Sequence, residues 1–255
     1  MKLKIGSVPY LNAKPLLYGL EENPDFQLHL APPAQLVPQV FKGSLDLALL
    51  PVVALLEHPE LKLIPGTGIA SQGEVQSVRV FFKHQYSNLL NCHTFCLDKD
   101  SQTSSWLLKV LLKKKYNRDL EEIQWVEDPN QAEACLLIGD PALKQWHEGQ
   151  VSLDLSQEWH NYTGLPFVFA AWMSSQDLSP SILQILSQAK QSGKNAIPSI
   201  AQKQKILPPD LVLDYLSHAI HYDLKSAELL GLKLFLEWVE ELGEKNYDTR
   251  LRFVA

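Results

Sequence analysis

Leu3-Lys4-Ile5-Gly6-Ser7-Val8-Pro9-Tyr10-Leu11-Asn12-Ala13-Lys14-Pro15-Leu16 carries the chain from an apolar strand through turn chemistry into a helix within a few residues. Residues 3–8 read as a buried strand. Asn12 stands where a helix cap is expected, ahead of a helix from Ala13 to about Leu20 whose first turn tolerates Pro15. Residues 34–42 fit a second short helix stopped by Gly43-Ser44, and Leu45 to Val52 is another apolar strand. Strand, helix and strand in this order predict a parallel sheet with covered faces.

Further along, Leu61 to Ile64 and Val78 to Phe82 are strand-like and separated by glycines, and residues 93–97 form a short strand. Trp106 to Lys115 is helical, with Leu107, Val110 and Leu111 on one face and three lysines in the last turn, where cations suit the helix dipole. Leu136-Leu137-Ile138 is a buried strand ending at Gly139-Asp140, and Phe167 to Trp172 is a strand after a Gly-Leu-Pro turn. Beyond residue 178 the pattern turns helical, near 180–192, 196–205, 209–219 and 225–242. The last carries an apolar stripe through Leu229, Leu232, Phe235, Leu236, Val239 and Leu242. The order suggests a chain that leaves one lobe near residue 82 and returns near 170, with a ligand cleft between the lobes.

Composition narrows the function classes. The 255 residues are 45% hydrophobic and 20% charged, as in a globular chain with a real core, and the formal net charge is −6. That charge points away from nonspecific binding to nucleic acid or anionic membranes. No apolar run is of membrane-spanning length, and none near Met1 suits a signal peptide, so the expected location is the cytoplasm. Cys92, Cys96 and Cys135 are an odd set for a disulfide framework and lack the paired spacing of a zinc site. The histidines are scattered, and His218 and His221 have no evident third partner, so no metal is expected.

Four segments carry candidate chemistry. Pro9-Tyr10-Leu11-Asn12 lies beyond a strand, where open α/β sheets bind ligands at helix N-termini, although Asn12 alone could be just a cap. Gly66 to Arg79 combines close-approach glycines with the donors Ser71, Gln72 and Ser77 and the cation Arg79. Its glycine spacing is not that of a dinucleotide site, and a buried Arg79 could instead pair with an acid. Asp100-Ser101-Gln102-Thr103-Ser104-Ser105 places hydroxyls and unpaired N–H groups at a helix start, fit for a carboxylate or for ordinary capping. Thr163-Gly164-Leu165-Pro166-Phe167-Val168-Phe169 could line an apolar pocket or be simply turn and core.

Together these segments, in order, resemble the chorismate dehydratase family of menaquinone biosynthesis. The matching stretches are Gly6 to Leu16, Gly43 to Val52, Ile69 to Arg79, Ser101 to Ser104, Leu137 to Leu143 and Thr163 to Trp172. The resemblance implies an α/β, two-lobed, periplasmic-binding-protein-like (type II) fold with a cleft between lobes, lobe I being 1–82 plus 171–255 and lobe II 83–170. It implies dehydration of chorismate, a dicarboxylate, to 3-[(1-carboxyvinyl)oxy]benzoate, with no cofactor. It also implies Asn12 as the catalytic residue orienting substrate. Pro9, Tyr10, Ser71, Gly73, Ser77, Arg79, Ser101, Thr103, Ser104, Gly139, Asp140, Thr163 and Gly164 are the implied substrate contacts. A solute-binding protein without chemistry and the sister enzyme making 1,4-dihydroxy-6-naphthoate are the alternatives. The intact Pro9-to-Asn12 motif and the missing export signal argue against them.

Overall fold

The computed structural model describes residues 2–83, 88–99, 101–243 and 247–254. Asp100, a candidate cap and ligand, lies outside the described residues. Strand β1 (Leu3–Ser7) is followed by a 3-10 turn (Leu11–Ala13) and helix α1 (Lys14–Leu17). Then come β2 (Phe26–Leu30), α2 (Pro33–Phe41), β3 (Leu47–Pro51), α3 (Ala54–Glu57) and β4 (Lys62–Ser71). These strands, with β10 (Phe167–Ser174), form one five-stranded sheet in the order β2-β1-β3-β10-β4. Every residue of β3 is buried, which is why it reads as a continuous apolar run.

The second sheet takes β5 (Val78–Phe82), β6 (Thr94–Cys96), β7 (Gln124–Val126), β8 (Ala134–Ile138) and β9 (Ser152–Asp154), in the order β7-β6-β8-β5-β9. Helices α4 (Gln102–Lys114), α5 (Gly139–His147) and α6 (Leu155–Thr163) are interleaved with these strands. The fold is thus α/β with two sheets, and the chain passes between them twice, at 72–77 and at 164–166. β5 belongs to the second sheet and β10 to the first.

The C-terminal helices α7 (Pro180–Asn195), α8 (Ile197–Lys203), α9 (Pro209–Asp214) and α10 (Ser226–Leu242) follow β10, with a π-helical turn at Tyr215–Ala219 after α9. They pack on the first sheet and over its crossings. Helix α7 meets α1 so closely that a Cβ on Gly193 would lie 1.8 Å from the Pro15 carbonyl oxygen. Backbone cannot yield as a side-chain tip does, so Gly193→Ala is expected to cost at least about 1–3 kcal/mol. A lowered urea midpoint checks this; an unchanged one would contradict the crossing. Helix α10 buries Phe235 against Phe167 of β10 (ring centroids 4.8 Å apart) and Trp159 of α6 (6.1 Å), tying both sheets to the same aromatic core. At the outer edge of the first sheet, Leu63 of β4 bridges to Phe253, which covers a strand edge otherwise open to pairing.

Several elements differ from expectation. Helix α4 starts at Gln102 rather than Trp106, capped by Ser101, whose Oγ accepts from the Ser104 N–H at 3.3 Å. The helix expected at 13–20 is only the short turn and α1, and Asn12 lies inside the turn rather than at its cap.

Candidate functional site

A cavity of about 610 Å³, mouth included, lies between the two sheets. From the first sheet and its loops it is lined by Val8, Tyr10, Asn12, Leu49, Pro51 and Ile69, among others. From the second come Val78, Ile138 and Gly139 together with Ser101, Thr103 and Ser104 at the start of α4, while Ser77 closes the side where the chain crosses. The site therefore sits beyond the carboxyl ends of β1 and β3 and faces a helix N-terminus, the position the sheet architecture favours for anions.

At α4 the hydroxyls divide their work. The Ser101 hydroxyl donates to Ser104 Oγ at 2.8 Å while its own oxygen caps the helix, so the Ser104 proton is left to point elsewhere. Thr103 Oγ1 accepts from the Val53 N–H at 3.5 Å, a contact between the sheets that leaves the Thr103 proton free to donate. Among the described residues no lysine or arginine lines the cavity. An anion here would be held by hydroxyls, unpaired helix N–H groups and the helix dipole, which reconciles an acidic protein with an anionic ligand.

Behind the lining residue Gly139, Asp140 Oδ1 accepts from the Leu11 N–H at 3.0 Å, a second contact between the sheets. This carboxylate does for the turn what a local cap would have done, so Asn12 is released from capping. Burial pushes the Asp140 carboxyl above the usual carboxylate range, against the pull of the Leu11 N–H and Lys14. Gly139 adopts φ +62°, and a Cβ there would meet the Tyr10 ring at 3.2 Å, so both backbone and packing require glycine. Asn12 Oδ1 is buried without a protein partner, an arrangement costing about 1–3 kcal/mol unless a ligand satisfies it.

The structure thus gathers Tyr10, Asn12, Ser77, Ser101, Thr103, Ser104 and Gly139 around one space, with Asp140 just behind it. Others fall elsewhere. Pro9 is exposed. Ser71 is buried and turned back to the Gly73 carbonyl (3.3 Å), and Gly73 supports a φ of +95°. Thr163 Oγ1 donates to the Trp159 carbonyl at 2.9 Å, and Gly164 is the left-handed cap of α6.

Arg79 follows Val78 on β5. Because strand side chains alternate, its guanidinium lies on the face away from the cavity that Val78 lines. There it pairs with Glu74 (2.8 Å) and Asp154 (3.2 Å), donates to Ser152 Oγ (2.9 Å) and stacks on Trp146 at 4.5 Å. Asp154 in turn accepts from the N–H groups of Val75, Gln76, Ser156 and Gln157. Burial raises its pKa to about 6, with the Gln157 N–H and Arg79 pulling the other way. This network holds Val75 and Gln76, whose φ is +65°, next to Ser77 of the cavity.

Phe169 lines the cavity, as the aromatic strand after the Gly-Leu-Pro turn suggests, whereas the apolar lining from Leu49, Pro51, Ile69, Val75 and Ile138 was not singled out as site residues by sequence. Each lies in or beside a strand, where it reads as ordinary core. Among the described residues no cluster of His, Cys, Asp and Glu could hold a metal ion. No helix among them is long and apolar enough to cross a membrane.

The chain resembles known proteins over nearly its whole length. Residues 3–241 match the menaquinone biosynthesis family. The chorismate dehydratase of Thermus thermophilus is 30% identical, the match covering 91% of this chain and 93% of that protein. The chorismate dehydratase of Campylobacter jejuni is 27% identical over 92% of each. Among solved structures, a protein of Archaeoglobus fulgidus has a TM-score of 0.74 at 17% identity, covering 96% of this chain and 98% of that one. The periplasmic aliphatic sulphonate binding protein of Escherichia coli has a TM-score of 0.67 at 16% identity, covering 99% and 91%. The fold is therefore the two-lobed, periplasmic-binding-protein-like one, and by sequence the chain belongs to the menaquinone biosynthesis family that includes the chorismate dehydratases.

Proposed function

We propose that this protein is a lyase that dehydrates chorismate to 3-[(1-carboxyvinyl)oxy]benzoate, a step of menaquinone biosynthesis, in the cytoplasm and without a cofactor. The observation that carries the reading is the cavity itself. In a chain of this family, it sets an orphaned Asn12 carbonyl opposite a helix start bearing the Ser104 and Thr103 hydroxyls. We take the lobes to be the two sheets with their helices, hinged at 72–77 and 164–166, with α7 to α10 completing the first.

Chorismate carries two carboxylates, and its C3 proton is acidified by conjugation through the ring alkene to the ring carboxylate. Breaking the C3–H bond places an electron pair at C3. As that pair forms the C3–C4 double bond the C4–O bond breaks, and hydroxide leaves with a proton as water. The ring becomes aromatic, so the protein needs chiefly to orient the substrate and stabilise developing charge. Among the described residues no histidine or carboxylate lines the cavity. The substrate's own enolpyruvyl carboxylate, tethered at C3, is accordingly assigned the role of base. One carboxylate docks at α4, and Asn12 orients the reacting carbons.

Chorismate deuterated at C3 is expected to give product without ring deuterium at that carbon and with the enolpyruvyl group retained. Deuterium kept in the product would refute the reaction. Ser104→Ala removes a charge-assisted hydrogen bond of about 1.5–3 kcal/mol, so KM should rise roughly 10- to 100-fold with kcat little changed. Steady-state kinetics decide it; a fall in kcat alone would place Ser104 near the chemistry instead. If Asp140→Asn or Glu74→Gln abolished turnover with chorismate affinity intact, a protein base would replace the substrate carboxylate.

A further inference from the structure

We propose that Tyr215, which does not line the cavity, is a positioning residue that fixes the hydrogen-bond polarity of the site through Asn12 and Ser77. Tyr215 begins the π-helical turn after α9, is 1% exposed, and donates its hydroxyl to Ser77 Oγ at 2.9 Å. Asn12, which also lines the cavity, acts on the same hydroxyl and pulls its pKa down against the burial that raises it. A π turn is a costly, single-turn departure from helix that recurs at functional sites, and here it delivers a phenol to the back of the cavity wall.

The proton directions follow from the donor inventory. The Tyr215 proton is committed to Ser77, so in this proposal Asn12 turns its Nδ2–H toward the phenol oxygen and keeps Oδ1, which has no partner, as the acceptor. Ser77 Oγ accepts from Tyr215, and its own proton is left to donate. Its backbone is pinned as well, since its carbonyl accepts from the Gly139 N–H at 2.7 Å. The relay Asn12 to Tyr215 to Ser77 therefore ends in an acceptor at Asn12 and a donor at Ser77, both beside the cavity.

For substrate orientation the inference rests on the chorismate reading. As a dianion, chorismate has a single hydrogen-bond donor, its C4 hydroxyl. Only that group satisfies Asn12 Oδ1, so the polarity of the relay places C4 at Asn12. The oxygens attached at C3, which only accept, are left for Ser77. A rotated Asn12 amide would present donors to the C4 hydroxyl and lose this selection.

Tyr215→Phe keeps the ring and removes the relay. Expected is a 10- to 100-fold fall in kcat with KM within about threefold. Ser77→Ala should then add little in the Tyr215→Phe background although it impairs the wild type. Loss of folded protein would lower apparent kcat in proportion to the active fraction with KM unchanged, so turnover is scored per folded enzyme, and a purely structural role would then leave kcat unchanged and give multiplicative effects. The second readout needs no substrate. In ¹⁵N-labelled, ligand-free protein the Asn12 side-chain amide, assigned by its disappearance in Asn12→Ala, should exchange with solvent faster in Tyr215→Phe and in Ser77→Ala. Unchanged exchange, or strictly multiplicative kinetics, would overturn the proposal. If the wild type failed to turn over chorismate, the reaction assignment would fall, and amide exchange would still decide the role of Tyr215.

Discussion

Replacement of Asn12 by alanine is expected to lower kcat on chorismate by about 10²- to 10³-fold, the size of effect seen when one preorganised polar group at the reacting atoms is lost. Chorismate affinity should change little, because the proposed carboxylate site at α4 uses Ser101, Thr103 and Ser104, beside the second sheet. The physical reason lies in how Asn12 is spared other duties. It does not cap its own turn, since Asp140 accepts the Leu11 N–H from across the cleft. Its carbonyl is buried with no protein partner, so the folded protein carries a polar group whose satisfaction awaits a ligand. Asn12→Ala should thus cost turnover without costing stability. Steady-state kinetics alongside a urea unfolding curve check both halves. Full turnover would remove Asn12 from the mechanism, and a large loss of stability would make it structural.

Asp154→Ala should be among the most destabilising substitutions in the second lobe, by about 3–5 kcal/mol. It strands the Arg79 guanidinium in a buried site and leaves the N–H groups of Val75, Gln76, Ser156 and Gln157 without their acceptor. Glu74→Ala removes the other acid paired with Arg79, but that carboxylate side chain is 41% exposed, so the loss should stay near 0–1 kcal/mol. Urea unfolding of the two variants separates the cases, and equal losses would contradict the account of Arg79 as a buried structural cation. Because the network clamps the 72–77 crossing, Asp154→Ala should also loosen Ser77.

How far the sequence can be read depends on whether local chemistry or a distant partner decides a residue's fate. β3 announces itself because all five residues are buried, and α10 because its apolar stripe keeps helical period over its whole length. β2 escaped reading because only Phe26 of its residues is buried, so its edge position gives no apolar run. α5 was hidden by its start, where a left-handed Gly139 before Asp140-Pro141 reads as the end of a strand. α6 mixes polar residues with the buried Trp159 and Ser156 and shows little stripe.

Within the site, the hydroxyl cluster at α4 was legible because capping chemistry and anion binding use the same groups. Arg79 was the misleading member. A lone arginine after a serine-rich loop looks like a ligand cation, and only its strand register and Asp154, 75 residues on, show where it points. Tyr215 was invisible for the converse reason, since a π turn has the composition of any helix and its two partners lie far back in the chain, at Asn12 and Ser77.

The most direct test of the central claim is to incubate the purified, desalted protein with chorismate alone and follow products by chromatography with mass detection. The account predicts 3-[(1-carboxyvinyl)oxy]benzoate, formed with loss of water and no added cofactor. Folded protein that leaves chorismate unchanged, or releases its enolpyruvyl group, would contradict it.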